Sequence, residues 1–158
     1  MDKTKTVDEN VYFKDMDQSF YLIGLINHFH NGFQTVADAL FDEISWKQIF
    51  FLNCVTFFKE APTINDMAEI IGCTHQNANQ ILSRLEKIGF VEVKRDDRDR
   101  RKQRIVLTEK ANVFREKYTK PSDDAMRILF KGVKSKDLGT AIKLFEQLEN
   151  NLEKLRRG

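Results

Sequence analysis

The spacing of apolar residues changes abruptly near Gly89, and this change constrains the fold more than any other feature of the chain. Before it, apolar residues recur every three or four positions, which is the period of an α-helix with one buried side. Directly after it, Val91 and Val93 alternate with charged residues, as in a half-buried strand. A second short apolar run, 105–107, offers a partner strand. The sequence therefore predicts a mainly α protein with one small β-hairpin.

Start and stop signals divide the remainder of the chain into helices. Ser45 and Gln48 form a capping-box pattern, Thr74 is a further N-cap, and Gly72 is typical of a helix end. Pro121 is expected to break or kink the chain before the last helical segments. The predicted helices cover 16–41, 45–59, 64–71, 74–88 and 108–120, followed by segments around 126–133 and 135–155.

Two of these helices, 64–71 and 74–88, are short and adjacent, and the 71–74 junction between them contains glycine. This arrangement is typical of a helix-turn-helix. A rotation of about 100° per residue gathers the apolar side chains of the second helix on one side, which we expect to face the core. These are Ala78, Ile81, Leu82, Leu85 and Ile88.

The opposite side of that helix carries carboxamides where most exposed helices carry Glu and Lys. We call these residues the amide face: Gln76, Asn77, Asn79 and Gln80. A carboxamide both donates and accepts, so it can match the N7 acceptor and N6 donor of adenine in the major groove. The residues predicted to meet DNA from this helix are Thr74, His75, Gln76, Asn77, Asn79, Gln80, Ser83, Arg84 and Lys87. The alternative is an ordinary solvated polar face.

The hairpin that follows is strongly basic at its centre. Residues 94–104 hold seven basic and three acidic side chains, a net charge of +4 in a chain of net charge +2. Such a loop suits the negative minor groove, and its binding to phosphates would weaken with salt. Arg98, Arg100 and Arg101 are the expected tip, and one of the three aspartates, for instance Asp99, is expected to orient a neighbouring arginine. The alternative is a mixed-charge surface loop.

These motifs resemble the MarR family of regulators. The tract 95–101 followed by 105–108 is similar to the family's wing signature, and 62–68 and 85–91 resemble its helix-turn-helix. The resemblance extends over about residues 20 to 155 in element order and is specific from about 44 to 111. Ala111 stands where the family often has glycine. The amide face also departs from the Ser, Thr and Arg that many members carry.

The resemblance implies a winged helix-turn-helix with N- and C-terminal dimerisation helices, divided as 1–42, 43–108 and 109–158. It implies a homodimer that binds a pseudo-palindromic operator in double-stranded DNA, often as a repressor released by a small aromatic or phenolic effector. The lack of a targeting signal and of a closely spaced cysteine pair separately predicts a reducing cytoplasm. By position, Thr74, Gln76, Asn77 and Gln80 fall on groove-contacting residues, and Arg100 and Arg101 fall on wing residues. The apolar stripes of the first and last helices also favour a dimer, because one small domain could not cover them.

An aromatic-rich region supplies candidates for the effector pocket. These are His28, Phe29, Phe33, Trp46 and Phe50. A tightly packed core explains 13 phenylalanines equally well, because apolar pockets and apolar cores share a composition. Cys54 is expected in the core. Cys73 could be a redox-sensitive thiol at a helix start, but a small apolar plug under the turn is the favoured interpretation.

Other function classes find little support in the sequence. His28 and His30 lie on opposite sides of a helix, so they cannot share a metal ion, and we expect no metal or cofactor. No Ser/His/Asp set or nucleotide loop is visible, so we expect no enzyme. The charged segment 1–19 and the lack of long apolar runs predict neither a signal peptide nor a membrane span. The competing hypothesis is a protein-interaction module of the same fold that does not bind DNA.

Overall fold

The computed structural model describes residues 16–157, so the first 15 residues of the predicted N-terminal region and Gly158 lie outside it. In chain order the elements are α1 (Gln18–Asp38), α2 (Trp46–Val55), α3 (Ile64–Ile71), α4 (His75–Lys87), β1 (Val91–Arg95), β2 (Gln103–Leu107), α5 (Glu109–Leu129) and α6 (Ser135–Arg157). The two strands pair as an antiparallel hairpin. The prediction of a mainly α fold with a small hairpin is therefore confirmed.

Side-chain caps define where α3 and α4 begin. The Thr63 hydroxyl accepts from the Asp66 N–H at 3.3 Å, and the Asp66 carboxylate accepts from the Thr63 N–H at 2.7 Å. That bond from Thr63 lowers the pKa of Asp66. At the start of α4, the Thr74 hydroxyl accepts from the Asn77 N–H at 3.2 Å. Each cap satisfies a backbone donor that the helix itself cannot satisfy, and such a cap stabilises a helix by about 1 kcal/mol.

Two helices end earlier than the apolar pattern predicts. The predicted helix 16–41 ends at Asp38, and the predicted helix 45–59 ends at Val55. Beyond both ends, N–H groups donate to carbonyls three residues back, namely the N–H groups of Leu40 and Phe41 after α1 and those of Thr56 and Phe57 after α2. This tighter turn is a common way for a helix to finish, and Phe41 then packs into the core from the loop after α1.

Pro121 does not end a helix, so the predicted helix end near residue 120 is wrong. Helix α5 continues through Pro121 to Leu129. Proline has no N–H, so Pro121 itself donates no helical hydrogen bond. Pro121 is exposed, so its ring displaces no core side chain. The helical pattern on either side is then sufficient to keep the helix continuous.

The chain divides into two compact units, the first ending at Arg115 and the second beginning at Glu116. The first unit buries one layer of side chains between α2, α3, α4 and the hairpin. Its most deeply buried large residues include Phe51, Leu52, Met67, Leu85, Phe90 and Ile105. Cys54 is also buried, as predicted, and burial raises the pKa of its thiol. The Ile105 N–H donates to the Pro62 carbonyl at 2.8 Å, which ties β2 to the segment before α3.

The two long terminal helices keep large apolar side chains exposed. On α1 these include Phe20, Ile23 and Val36, and on α6 they include Ile142, Phe145 and Leu155. Helix α6 has no buried residue among those that the structure describes. None of the helices within residues 16–157 is both long and apolar enough to cross a bilayer. Contiguous exposed apolar surface of this kind usually marks an interaction site.

Two phenylalanines near the end of α2 test how the first unit is held together. Phe51 is 0% exposed, whereas Phe57 is 68% exposed. Replacing Phe51 with Ala should lower the free energy of unfolding by about 3–5 kcal/mol, because it removes buried contacts and leaves a cavity. Phe57→Ala should change it by only about 0.5 kcal/mol. Denaturant unfolding followed by the fluorescence of Trp46 measures both, and equal effects would contradict this description of the core.

Candidate nucleic-acid interface

Helix α4 is fixed in rotation by its buried side. Ala78 and Leu85 are completely buried, and Ile81 and Leu82 nearly so, as the spacing predicts. Ile88 is the exception, because it is 37% exposed rather than in the core. It is the C-cap residue of α4, with φ −93° and ψ 3°, and the chain leaves the helical path there. The buried side thus spans about two turns and determines which residues point outward.

The outward side of α4 carries the predicted polar residues. Gln76, Asn77, Gln80, Ser83, Arg84 and Lys87 are all exposed, as are Thr74 and His75 at the helix start. Asn79 is only partly exposed, and its amide lies 3.0 Å from Nδ1 of His75. A shallow groove runs along this surface, lined by His75, Gln76, Asn79, Gln80, Ser83 and Arg84. Amide, hydroxyl and guanidinium groups therefore present donors and acceptors along one open strip.

The turn before α4 needs a glycine. Gly72 has φ +71°, a left-handed conformation that residues with a Cβ rarely adopt. The N–H of Cys73 then donates to the Ala68 carbonyl at 3.0 Å, which closes the end of α3. The Cys73 side chain is partly buried at this turn. The two helices are in this way joined by a short, hydrogen-bonded corner.

Asp96 organises the loop 96–102, which we call the wing loop. Its carboxylate accepts from the N–H groups of Arg98 and Asp99, both at 2.8 Å, and from Nε of Arg104 at 2.5 Å. These contacts, led by the bond from the Asp99 N–H, lower the pKa of Asp96 to about 2. This role of Asp96 was not predicted from the sequence. The available signal was an aspartate at the start of a turn, where it can bond the backbone two or three residues on.

Arg104 attaches the wing to the helical part of the first unit. Besides its bond to Asp96, its Nη1 donates to the Ala61 carbonyl at 2.9 Å. Both charged side chains of this ion pair are largely buried, at 23% exposed for Arg104 and 12% for Asp96. The bond to Asp96 raises the pKa of Arg104. The base of the wing is therefore fixed to the segment that precedes α3.

The three predicted wing arginines are all exposed, but they differ in their partners. Nε of Arg101 lies 3.2 Å from the Asp99 carboxylate, as expected for an aspartate that orients an arginine. Nη1 of Arg98 lies 3.4 Å from Glu60, which the sequence did not suggest. Arg100 has no ion-pair partner within residues 16–157. Arg100 thus presents the least compensated charge of the three.

Four of the five predicted effector residues form a continuous row of rings, which we call the aromatic row: Phe29, Phe33, Trp46 and Phe50. The ring centroids of Phe29 and Phe33 are 5.9 Å apart, those of Phe33 and Trp46 4.9 Å, and those of Trp46 and Phe50 6.2 Å. Phe29 and Phe50 are 56% and 38% exposed, so the row is accessible at both ends. His28 and His30 are exposed. In the part of the chain that the structure describes, no three His, Cys, Asp or Glu side chains could hold a metal ion together.

A helix-turn-helix followed by a basic hairpin defines the winged helix-turn-helix class of proteins. A sequence model of the MarR family matches residues 45–102, the segment that contains α2, α3, α4 and most of the wing. Over 58 residues the chain is 41% identical to YfiV, an uncharacterized HTH-type transcriptional regulator of Bacillus subtilis strain 168. This match covers 36% of each protein, so the chain spans about a third of the length of that relative.

Solved structures extend the likeness beyond that segment. A MarR/EmrR family transcriptional regulator from Acinetobacter sp. ADP1 has a TM-score of 0.78 at 15% identity, covering 88% of this chain and 99% of its own. MepR of S. aureus, solved as a DNA complex, has a TM-score of 0.72 at 20% identity, covering 84% and 95%. At sequence identities this low, the structural similarity shows a shared fold and nothing further. The match over 45–102 is therefore to the MarR family, and over most of the chain the fold is similar to that of these solved winged helix-turn-helix proteins.

The contacts of Asp96 predict a specific loss of stability in acid. Its pKa is lowered from 3.8 to about 2 on folding, so its contribution is complete above about pH 4 and is lost as the pH falls towards 2. Asp96→Asn should therefore lower stability at neutral pH and flatten its decline between about pH 4 and pH 2. Urea unfolding at a series of pH values, followed by Trp46 fluorescence, measures this decline.

The matched control is Asp97→Asn, which removes the same charge from the neighbouring, exposed position. It should leave the decline between pH 4 and pH 2 as in the wild type. An Asp96→Asn variant whose stability follows the wild-type curve throughout would show that Asp96 does not stabilise the wing loop.

Proposed function

We propose that this protein is a sequence-specific DNA-binding transcriptional regulator that acts as a homodimer on a pseudo-palindromic operator. The observation that carries the proposal is the exposed amide face of α4, presented by the same unit that holds the exposed wing arginines. The proposed DNA-binding residues are those predicted from the sequence, namely Thr74, His75, Gln76, Asn77, Asn79, Gln80, Ser83, Arg84, Lys87, Arg98, Arg100 and Arg101.

The chemistry of each part suits a different feature of DNA. Gln76 and Gln80 can each bond the N7 and N6 positions of adenine in the major groove. Arg84 and Lys87, in the last turn of α4, can reach phosphates or guanine. Arg100 can enter the minor groove, where a narrow groove concentrates negative potential. MepR, a protein of the same fold, has been solved as a DNA complex, which supports DNA as the partner.

A second copy of the chain is the proposed partner of the exposed apolar stripes on α1 and α6. Phe20 and Ile23 on α1, and Ile142 and Phe145 on α6, would lose their solvent exposure in a dimer. A two-fold dimer would place two α4 helices in successive major grooves about 34 Å apart. We assign dimerisation to 1–42 and 109–158, and DNA binding to 43–108.

We further propose that the regulator is a ligand-responsive repressor of the cytoplasm, with no catalytic activity. The aromatic row and His28 would form the binding region for a small aromatic or phenolic effector. The accessibility of the aromatic row supports this proposal, because exposed rings can pack face to face or edge to face with the ring of a bound molecule. The effector would favour a conformation with lower affinity for DNA.

Two substitutions separate the proposed contacts with bases from those with the backbone. Gln80→Ala should weaken binding by about 1–3 kcal/mol only on duplexes that carry the preferred bases, because it removes a base contact. Arg100→Ala should weaken binding to all duplexes and lower the slope of log affinity against log salt by about 1. The measurement is a salt-titrated fluorescence-anisotropy assay on DNA upstream of the protein's own gene and on a random duplex.

Matched controls lie outside the proposed interface. Gln147→Ala on α6 removes an exposed carboxamide, and Arg127→Ala on α5 removes an exposed arginine. Both should bind like the wild type, and sedimentation of the complex should give two chains per duplex. A wild-type protein that dimerises but binds no duplex at low salt would instead support the competing hypothesis, a protein-interaction module of the same fold that does not bind DNA.

The single tryptophan of the chain allows a direct test of the effector region. Titration with a simple aromatic acid such as salicylate should change the fluorescence of Trp46 in a saturable manner, because Trp46 lies inside the aromatic row. Phe33→Leu should weaken this binding, since it removes the ring 4.9 Å from Trp46. Phe57→Leu, at an exposed position outside the row, is the control. Equal responses of the two variants would exclude the aromatic row as the binding region.

A further inference from the structure

Side chains from the start of α5 hold the carboxyl-terminal end of α4. Nζ of Lys110 donates to the Ile88 carbonyl at 3.1 Å. The Thr108 hydroxyl donates to the Gly89 carbonyl at 2.7 Å, and the Thr108 N–H donates to the Phe90 carbonyl at 3.1 Å. The last carbonyls of a helix lack helical donors and carry partial negative charge, so a cation at this point is favourable. The end of α4 is therefore fixed by α5 as well as by its own backbone.

The same ammonium group of Lys110 contacts two further groups. It lies 4.7 Å from the centroid of the Phe90 ring and 3.4 Å from Oε2 of Glu43. Glu43 belongs to the segment 39–45, which connects α1 with α2. Lys110 thus joins the end of α4 to the α1–α2 connection through a single charged atom.

Aromatic packing makes a second link between the same parts of the unit. The Phe90 and Phe114 rings are 5.2 Å apart at 75°, and Phe114 and Phe41 are 6.3 Å apart. Phe41 lies in the segment 39–45 and is buried. The apolar link is in the core, whereas the link through Lys110 is half exposed. The polar link can therefore be removed without making a cavity in the core.

We propose that Lys110 is a positioning residue for α4, which holds the end of this helix against the segment 39–45 and so sets how the amide face meets DNA. This inference rests on the proposed DNA-binding function. Lys110 does not itself contact DNA in the proposal. The competing assignment for a half-exposed lysine in a DNA-binding unit is a direct contact with phosphate.

The sign of the effect at Glu43 distinguishes the two assignments. If Lys110 positions α4 with the help of Glu43, removing either charge should weaken binding to the preferred duplex. If Lys110 binds phosphate, removing the competing carboxylate of Glu43 should strengthen binding, because less negative charge then opposes the DNA. The test variants are Lys110→Met, Glu43→Gln and the double variant, assayed in the salt titration on the preferred and random duplexes.

We expect Lys110→Met to lose about fivefold in affinity for the preferred duplex and less than about twofold for a random one, with an unchanged salt slope. Glu43→Gln should also weaken binding to the preferred duplex. The double variant should lose less affinity than the product of the two single fold-losses. Lys110→Arg should bind like the wild type, since a guanidinium can contact the same carbonyl, ring and carboxylate. Lys117→Met, which removes another lysine of α5 with a ring contact, should bind like the wild type.

A salt slope reduced by about 1 in Lys110→Met, together with tighter binding by Glu43→Gln, would overturn the proposal in favour of a phosphate contact. Hydrogen exchange without DNA provides an independent test. The amides of Ile88, Gly89 and Phe90 donate to carbonyls at the end of α4, and they should exchange faster in Lys110→Met but not in Lys117→Met. Unchanged exchange would exclude the positioning role, even in a protein that binds DNA. Faster exchange in a protein that binds no duplex would support the contact at Lys110 and refute the proposed function.

Discussion

The burial of one side of α4 is the constraint on which the candidate interface depends. Ala78 and Leu85 are completely buried, and they fix the rotation of the helix about its own axis. A shift by one residue would rotate the helix by about 100° and carry a carboxamide towards the core. Burying such a group without hydrogen-bond partners costs about 2–7 kcal/mol. The outward direction of the amide face is thus a consequence of core packing, and no contact made by the amides themselves is needed to maintain it.

The wing depends on a different interaction, which accounts for two of the three aspartates in this basic loop. Asp96 accepts two backbone N–H groups and the Arg104 guanidinium, so its charge is used inside the loop. Asp99 pairs with Arg101 and also receives the Arg101 N–H at 3.1 Å. These carboxylates order the backbone and leave Arg100 with an uncompensated charge. The two aspartates therefore hold the backbone of this loop in place, and the charge of Arg100 is not neutralised by either of them.

The sequence predicted the features that are local and missed those that join distant residues. The Thr74 cap, the two sides of α4 and the hairpin all depend on residues within a few positions of one another, so their patterns are visible in the chain. Arg104 bonds the carbonyl of a residue 43 positions away, and Arg98 pairs with one 38 positions away. Nothing in the residue types identifies these partners. The passage of α5 through Pro121 was also missed, because proline is the same local signal whether it breaks a helix or only kinks it.

The anchors of α4 and of the wing show why the two proposed DNA-reading parts can act together. The start of α4 is fixed by the Thr74 cap and the turn at Gly72, and its end is fixed by Lys110 and Thr108. Arg104 and Ile105 attach the wing to the segment just before α3, the helix that leads into that turn. The segment 39–45 is held at two points. Its Glu43 contacts Lys110, and the Trp46 N–H just beyond it donates to Asp38 at 2.5 Å. Phe41 and Ile44 of this segment are buried, so the segment is part of the same core as the end of α4 and is connected to it through Phe114 as well as through Lys110. The placement of α4 therefore depends on this core, on the Thr74 cap and on the contacts of Lys110 together.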